Sequence, residues 1–324
     1  MIKVGIVGYG NLGRGVTLAV SKANDMECVG IFTRRSPSTV IPVVNYPVYA
    51  MDKLADFKGE IDVLLLCGGS ATDLPNNTAT LLKDFNTVDS FDTHAKIPEY
   101  YEKLEKVAKE NGKLSAISIG WDPGVFSIAR MLFGAVLPDG KDYTFWGKGV
   151  SQGHSDAIRR ISGVKNAIQY TIPKEQALDS VRKGENPALT TREKHLRECF
   201  VAIENGADTD CIEKQIKEMP NYFADYDTIV NFVTEEEVRK MQKKLSHGGF
   251  VFRSGNTTSE NAHLLELSLK LDSNPEFTGS VLVAYGRAVA KMAKEGKTGV
   301  VTVFDVPIKY LSPLGEDELR RTLL

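Results

Sequence analysis

The chain has 324 residues, 42% of them hydrophobic and 25% charged, and a formal net charge of −2. That length holds two domains or one large split domain, and the composition is ordinary for a globular enzyme. The near-neutral balance excludes a global field that would recruit nucleic acid or an anionic membrane, and no apolar run reaches the roughly 18 residues needed to span a bilayer. The four cysteines, Cys28, Cys67, Cys199 and Cys211, form no CxxC pair, and the five histidines show no ligand spacing. Neither a disulfide framework nor a metal site is therefore expected, and a reducing cytoplasm fits best. A strand beginning at residue 2 gives the expectation that no secretory signal precedes the fold.

Residues 2–7 read as a strand that runs into Gly8-Tyr9-Gly10-Asn11-Leu12-Gly13, and the stripe Leu12, Val16 and Val20 marks a helix behind it. Strand, Gly-x-Gly-x-x-Gly and helix in this order make a dinucleotide-binding turn. Gly8 permits the tight turn, Gly10 the close approach of a pyrophosphate, and Gly13 the packing of helix on strand; the N–H groups of the helix start face the phosphates. Residues 27–32 are the second strand. An enzyme using NAD commonly ends it in Asp or Glu, for the ribose 2′-hydroxyl. Here it ends in Thr33-Arg34-Arg35. Guanidinium forks suit a 2′-phosphate, so NADP is the expected cofactor; two solvated loop arginines are the alternative.

Residues 61–67 form a nearly continuous apolar run, as in a central parallel strand covered on both faces. Gly68-Gly69-Ser70-Ala71-Thr72 follows it. This segment either leaves room for the cofactor at the carboxyl edge of the sheet or is a plain turn capped by Ser70 or Thr72. Residues 86–92 look like a further strand, ending in Asp92. Residues 97–110 are an amphipathic helix opening near Pro98. The strand at 113–119 delivers Gly120-Trp121-Asp122-Pro123-Gly124 to the same edge. The expected cofactor set is thus Gly8 to Gly13 with Tyr9, Asn11 and Leu12, then Thr33, Arg34 and Arg35, and Cys67, Gly68, Gly69, Ser70, Thr72 and Asp92.

After residue 122 the texture changes. Strand-like segments at 143–146, 167–172, 198–203 and 228–232 alternate with helical patterns at 174–183, 210–219 and 235–245, an α+β arrangement on an antiparallel or mixed sheet. Two helical stretches, 259–271 and 277–294, and a β-rich run at 299–304 complete the chain. The expected fold is α/β: an N-terminal Rossmann-type doubly wound parallel sheet over residues 1–122, rejoined by 275–324, and an α+β substrate and dimerisation domain with a mixed sheet over 123–274.

Asp92 and Asp122 end neighbouring predicted strands, where an acidic pair suits a cationic group such as an ammonium; each also reads as a helix cap or turn residue. Trp121 is either a wall against an aliphatic ligand or core. Residues 144–156 are rich in glycine and hydrogen-bonding side chains, as in a ligand-contacting loop or a wide turn. Arg197 and His247 could donate charge-assisted bonds to a carboxylate, although pattern alone reads both first as surface residues. His195 and His263 read as structural.

Gly8 to Arg14, Phe32-Thr33-Arg34-Arg35, Gly120-Trp121-Asp122-Pro123-Gly124, Thr144-Phe145-Trp146-Gly147, Ser151-Gln152-Gly153-His154-Ser155-Asp156-Ala157 and His247-Gly248-Gly249 together closely resemble the meso-diaminopimelate dehydrogenase family, over essentially the whole chain. The resemblance implies NADP-dependent oxidative deamination of meso-2,6-diaminopimelate at its D-centre. The product is L-2-amino-6-oxopimelate, which cyclises to tetrahydrodipicolinate, and the reverse direction consumes ammonia on a route to lysine and diaminopimelate. It further implies that Asp92 and Asp122, the catalytic candidates, hold the reacting amino group beside Trp121. Trp146, Gln152, Gly153 and Asp156 close over the substrate, and Thr171, Arg197, His247 and Asn274 bind the distal L-centre. A homodimer, with residues just after Pro123 and in the middle domain at its interface, and closure over the substrate are also implied. Another NADP-linked semialdehyde or cyclic imine reductase, and a non-catalytic NADPH sensor, are the competing readings.

Overall fold

The computed structural model of the chain describes residues 1–324. The elements run β1 (Ile2–Val7), α1 (Asn11–Val20), β2 (Met26–Thr33), β3 (Val48–Ala50), β4 (Val63–Leu66), α2 (Asp73–Leu81), β5 (Thr87–Asp89), α3 (Ile97–Glu110), β6 (Leu114–Ala116) and α4 (Val125–Val136). They continue through β7 (Gly140–Trp146), β8 (Gly149–Val150), α5 (Gln152–Arg159), β9 (Val164–Pro173), α6 (Glu175–Arg182), α7 (Thr191–Lys194), β10 (His195–Ile203), α8 (Thr209–Lys217), β11 (Asp227–Phe232) and α9 (Glu235–Gln242). The last are β12 (His247–Asn256), β13 (Ala262–Leu271), α10 (Asn274–Lys294), β14 (Gly299–Val301) and α11 (Glu316–Leu323). Contacts divide them into two compact units, Met1–Ile128 with Pro275–Leu324, and Ala129–Asn274. No helix is long and apolar enough to cross a membrane.

The first unit is built on a seven-stranded parallel sheet of order β14-β6-β5-β4-β1-β2-β3. Strand β4 shows why its apolar run is continuous. Val63 and Leu65 join one core with Val16 and Val20 of α1 and Leu282 and Ala288 of α10, while Leu64 and Leu66 join another with Tyr100 and Leu104 of α3. Both faces are covered, so alternation is lost. The strand order reverses between β1 and β4, the crevice where doubly wound sheets bind their ligands.

The second unit carries a mixed sheet, β11-β10-β9-β8, in which β10 is parallel to β11 and antiparallel to β9, and an antiparallel three-stranded sheet, β13-β12-β7. Residues 259–271 were expected to be helical; they form β13, paired antiparallel with β12 from His247↔Leu271 to Asn256↔Ala262. The leucines favour a helix by propensity, but Leu265, Leu267 and Leu269 are half-buried and Leu271 buried, while Glu266, Ser268 and Lys270 between them are exposed. That is a period of two, and pairing with β12 overrides local preference. Strand β5 also stops earlier than expected, at Asp89, and leaves Asp92 in the following loop.

Candidate active site

In the first unit the glycine turn has the geometry its sequence demands. Gly8 has φ +91°, and its N–H donates to the Phe32 carbonyl at 2.9 Å, joining the turn to the end of β2. A Cβ on Gly13 would lie 2.3 Å from the Gly8 carbonyl oxygen, whereas one on Gly10 would meet nothing within 4 Å. Gly13 is thus fixed by packing, and Gly10 leaves space above the turn. A cavity of about 370 Å³ opens there, bordered by Gly8, Gly10, Thr33, Arg34, Arg35 and Cys67. Thr33 Oγ1 accepts from the Arg35 N–H at 3.2 Å. Arg35 donates to the Tyr9 carbonyl, and the Tyr9 hydroxyl accepts from the Val43 N–H.

Asp73, on the first turn of α2, links the two edges of this cavity. Its Oδ1 pairs with Arg34 Nη2 at 2.5 Å and its Oδ2 accepts from the Gly69 N–H at 3.1 Å. The Gly69 N–H, with Arg34 beside it, holds the Asp73 carboxyl below the usual carboxylate range. Neither serine nor threonine caps α2: Thr72 precedes it without a side-chain bond, and Ser70 Oγ accepts from the Asp92 N–H at 3.0 Å. Ser70 therefore ties the glycine segment to the loop that carries Asp92.

Asp89 is a residue the sequence reading passed over. It is wholly buried. Its Oδ1 accepts from the Phe91 N–H at 3.0 Å and the Ser118 N–H at 3.2 Å, and its Oδ2 from the Tyr100 hydroxyl at 2.8 Å. Burial pushes its carboxyl up to about 6 against these bonds. One buried carboxylate thus fixes both the loop of Asp92 and the loop leading to Trp121 and Asp122. The signal available was a carboxylate inside an apolar strand. Trp121 is 8% exposed, stands edge-on to Phe126 at 5.2 Å, and forms an isolated bridge with Gly124 around Asp122.

In the second unit the strand register does the assembling. Thr171 of β9 lies opposite Arg197 of β10, and Gly149 of β8 lies on the other side of Thr171. Arg197 Nη1 donates to Thr171 Oγ1. Both side chains are buried, contrary to the surface reading that pattern favoured for Arg197. A Cβ on Gly149 would come within 2.3 Å of the His247 ring, so glycine there makes room for that histidine. Thr171, Arg197 and His247 are thereby brought together. Asn274, at the first residue of α10, donates its N–H to the Leu245 carbonyl at 2.8 Å, two residues before His247.

Arg197 is under unusual demands. Its guanidinium carbon lies 3.9 Å from the Tyr226 ring centroid, and its Nε is buried without an acceptor. Burial lowers its pKa, and Tyr226 pushes it back up.

Gln152, Gly153 and Asp156 stand on the opening turns of a helix, α5, rather than in the loop that their glycine-rich neighbourhood suggested. Gln152 and Gly153 are exposed. Asp156 is paired with Arg159 of its own helix at 3.5 Å and with Arg160, at the helix end, at 2.5 Å. His154 faces inward, bonded to Ser151 Oγ at 2.7 Å and edge-on to Tyr222 and Phe223. Trp146, 37% exposed, donates its backbone N–H to His195 Nε2 at 2.9 Å, and the two rings stack at 5.5 Å. That bond requires an unprotonated Nε2. Burial, and then the charge of Arg197, lower the His195 pKa to about 3.

The family description "Diaminopimelic acid dehydrogenase C-terminal domain" fits residues 120–273. A meso-diaminopimelate D-dehydrogenase from Lysinibacillus sphaericus is 56% identical over 323 residues, covering 100% of this chain and 99% of that protein. The chain belongs to the meso-diaminopimelate dehydrogenase family. Among solved structures, a sixfold-substituted family member from Clostridium tetani with DAP is 53% identical, with a TM-score of 0.95 over 100% of both chains. An engineered D-amino acid dehydrogenase bound to NADP+ is 41% identical, with a TM-score of 0.88 over 100% of this chain and 99% of that one. Family membership thus extends over both units, including the glycine turn that opens the chain.

Proposed function

We propose that this family member catalyses the reversible reaction meso-2,6-diaminopimelate + NADP+ + H2O ⇌ L-2-amino-6-oxopimelate + NADPH + NH4+ + H+, acting at the D-centre. The observation that carries this reading is the buried Arg197–Thr171 pair, with an Nε that no protein group satisfies. A buried cation needs a counter-ion. Diaminopimelate brings a carboxylate at its far end, which a simple D-amino acid lacks. Supporting it, the C. tetani variant exchanges a glutamine, threonine, arginine, proline, histidine and asparagine in that order. The same residue types recur here at the same spacings, as Gln152, Thr171, Arg197, His247 and Asn274, with Ser246 in place of the proline.

The residues of the first unit fit NADP. Arg34 and Arg35 stand where an NAD enzyme commonly carries a carboxylate, and Asp73 neutralises one of the two, which leaves a net positive charge for a 2′-phosphate. Gly8 makes the turn, Gly13 packs the helix on the strand, and Gly10 with the N–H groups at the start of α1 faces the pyrophosphate, with Tyr9, Asn11 and Leu12 around them. Cys67, Gly68, Gly69, Ser70, Thr72 and Asp92 border the remainder. When bound, the nicotinamide accepts the two electrons and one hydrogen released at the D-centre.

The chain's own part is orientation and proton transfer. The two arms of the meso substrate are chemically identical and of opposite hand. Arg197, Thr171, His247 and Asn274 bind the distal L-centre; Trp121 shapes the D-centre end; Trp146, Gln152, Gly153 and Asp156 belong to the segment that closes over the substrate. Asp92 and Asp122 hold the D-ammonium. Asp92 or Asp122 takes one of its protons, because the nitrogen needs a lone pair to form an imine. The protein acts in the cytoplasm, as a homodimer that packs residues beyond Pro123 together. Met131, Leu132 and Val136, each at least 49% exposed, supply an apolar face on α4 for the second copy. Light scattering should give twice the chain mass, and a monomeric mass would remove the dimer. Residues 1–122 with 275–324 act as the cofactor domain and 123–274 as the substrate domain. Deuterium placed at the D-centre α-carbon should be lost from the amino acid product, and deuterium at the L-centre retained; loss from the L-centre would overturn the reading.

A further inference from the structure

Given Arg197 at the distal carboxylate, as proposed above, we propose that Tyr226 is a positioning residue for substrate recognition: its ring fixes the plane of the Arg197 guanidinium so that the Nε–Nη2 edge meets the carboxylate. A guanidinium is planar and carries five N–H donors in a fixed fork. Three observations fix this one. Its carbon stands 3.9 Å from the Tyr226 ring centroid, so one face is covered. Its Nη1 is spent on Thr171 Oγ1, which stops rotation within that plane. Its Nε is buried with no acceptor, so the remaining edge is the one left for a ligand.

Arg197 is only 7% exposed, and its guanidinium meets Thr171 Oγ1 and the Tyr226 ring rather than a carboxylate. A cation buried in this way is costly. The electron-rich face of an aromatic ring is an effective partner for it short of a formal charge, and it leaves the position of the counter-ion open for the substrate. A protein carboxylate there would satisfy Arg197 permanently and compete with diaminopimelate. Tyr226 is itself held firmly. It closes the segment between α8 and β11, its N–H donates to the Phe223 carbonyl at 2.9 Å, and Phe223 is wholly buried among Ile158, Val201 and Ile212.

The test is steady-state kinetics with meso-diaminopimelate and NADP on Tyr226→Phe, Tyr226→Leu, Arg197→Leu and the Tyr226→Leu/Arg197→Leu pair. Tyr226→Leu should raise KM about tenfold and leave kcat within about twofold, since the D-centre is untouched. Tyr226→Phe, which keeps the ring, should stay within about twofold of the native KM. In the Arg197→Leu background, Tyr226→Leu should change KM by less than about twofold, because the group it positions is gone. A phenylalanine variant as impaired as the leucine one, an unchanged KM in Tyr226→Leu, or additive effects in the pair would overturn the role of Tyr226. Tyr226→Met provides the same comparison in place of a leucine variant that does not fold. If Arg197→Leu alone left KM unchanged, the distal assignment itself would fall, a different result from failure of Tyr226.

Discussion

Arg35 and Arg34 differ in what already holds them. Arg34 is paired with Asp73, while Arg35 donates to a backbone carbonyl. A guanidinium on a neutral carbonyl is the freer of the two to bind a phosphate. Arg35→Ala should therefore raise the Kd for NADP about 10–100-fold, the equivalent of one or two charge-assisted bonds, and shift the Kd for NAD by no more than about threefold. Fluorescence titration checks both; equal loss for the two cofactors would refute the 2′-phosphate role. Asp122→Asn separates binding from proton transfer. As the proton acceptor its loss should lower kcat about 100-fold or more; a raised KM at native kcat would leave Asp122 a binding group only. His195 gives a pH signature. Its pKa falls from 6.5 in the unfolded chain to about 3 in the fold. A depressed value means that its contribution is complete above about pH 6.5 and is lost as pH falls toward 3. The Tm advantage of the native protein over His195→Gln should thus shrink steadily in acid, and a constant advantage would contradict the neutral, Trp146-holding ring. These residues were unevenly legible. Arg34 and Arg35 stand out in the sequence because they replace a carboxylate at a known position, whereas Asp89 and Tyr226 make their contacts through burial and stacking between segments far apart in sequence.

At the level of elements, β1, the glycine turn and α1 were readable because each local preference agrees with the fold: an apolar strand, a left-handed glycine, then a 3.6-residue stripe. Gly13 is a tightly packed point of that turn. Gly13→Ala would drive a methyl to 2.3 Å from the Gly8 carbonyl oxygen. The variant should lose about 1–3 kcal/mol in urea unfolding, the usual range for forced overpacking, and its NADP affinity should fall as the turn shifts; native stability would show that α1 can move away. Strand β13 departs from the helical expectation because its leucines carry helix propensity; the period-two alternation from Leu265 to Leu271 and the antiparallel pairing with β12 outweigh it. Helix α5 was read as a loop for the converse reason. Gly153 and the serines beside it lower propensity, but Ser155 and Ile158 are buried, and Ser155 Oγ accepts from the Gln169 N–H of β9 at 2.9 Å, which holds the helix in place.

On the scale of the whole molecule, the order of elements carried most of the information. Alternating strands and helices specified a parallel doubly wound sheet, and the break in that rhythm near residue 122 marked a different architecture. What the order could not give was depth: that Arg197 is buried rather than exposed follows from the register of β9 on β10, a contact between segments 26 residues apart. The most direct measurement is NADPH absorbance during incubation of NADP with the meso, LL and DD isomers of diaminopimelate. NADPH should form with the meso isomer, with one ammonia released per NADPH, and not with the LL isomer. Equal rates on the meso and LL isomers, or no turnover of the meso isomer, would contradict the assignment of the site.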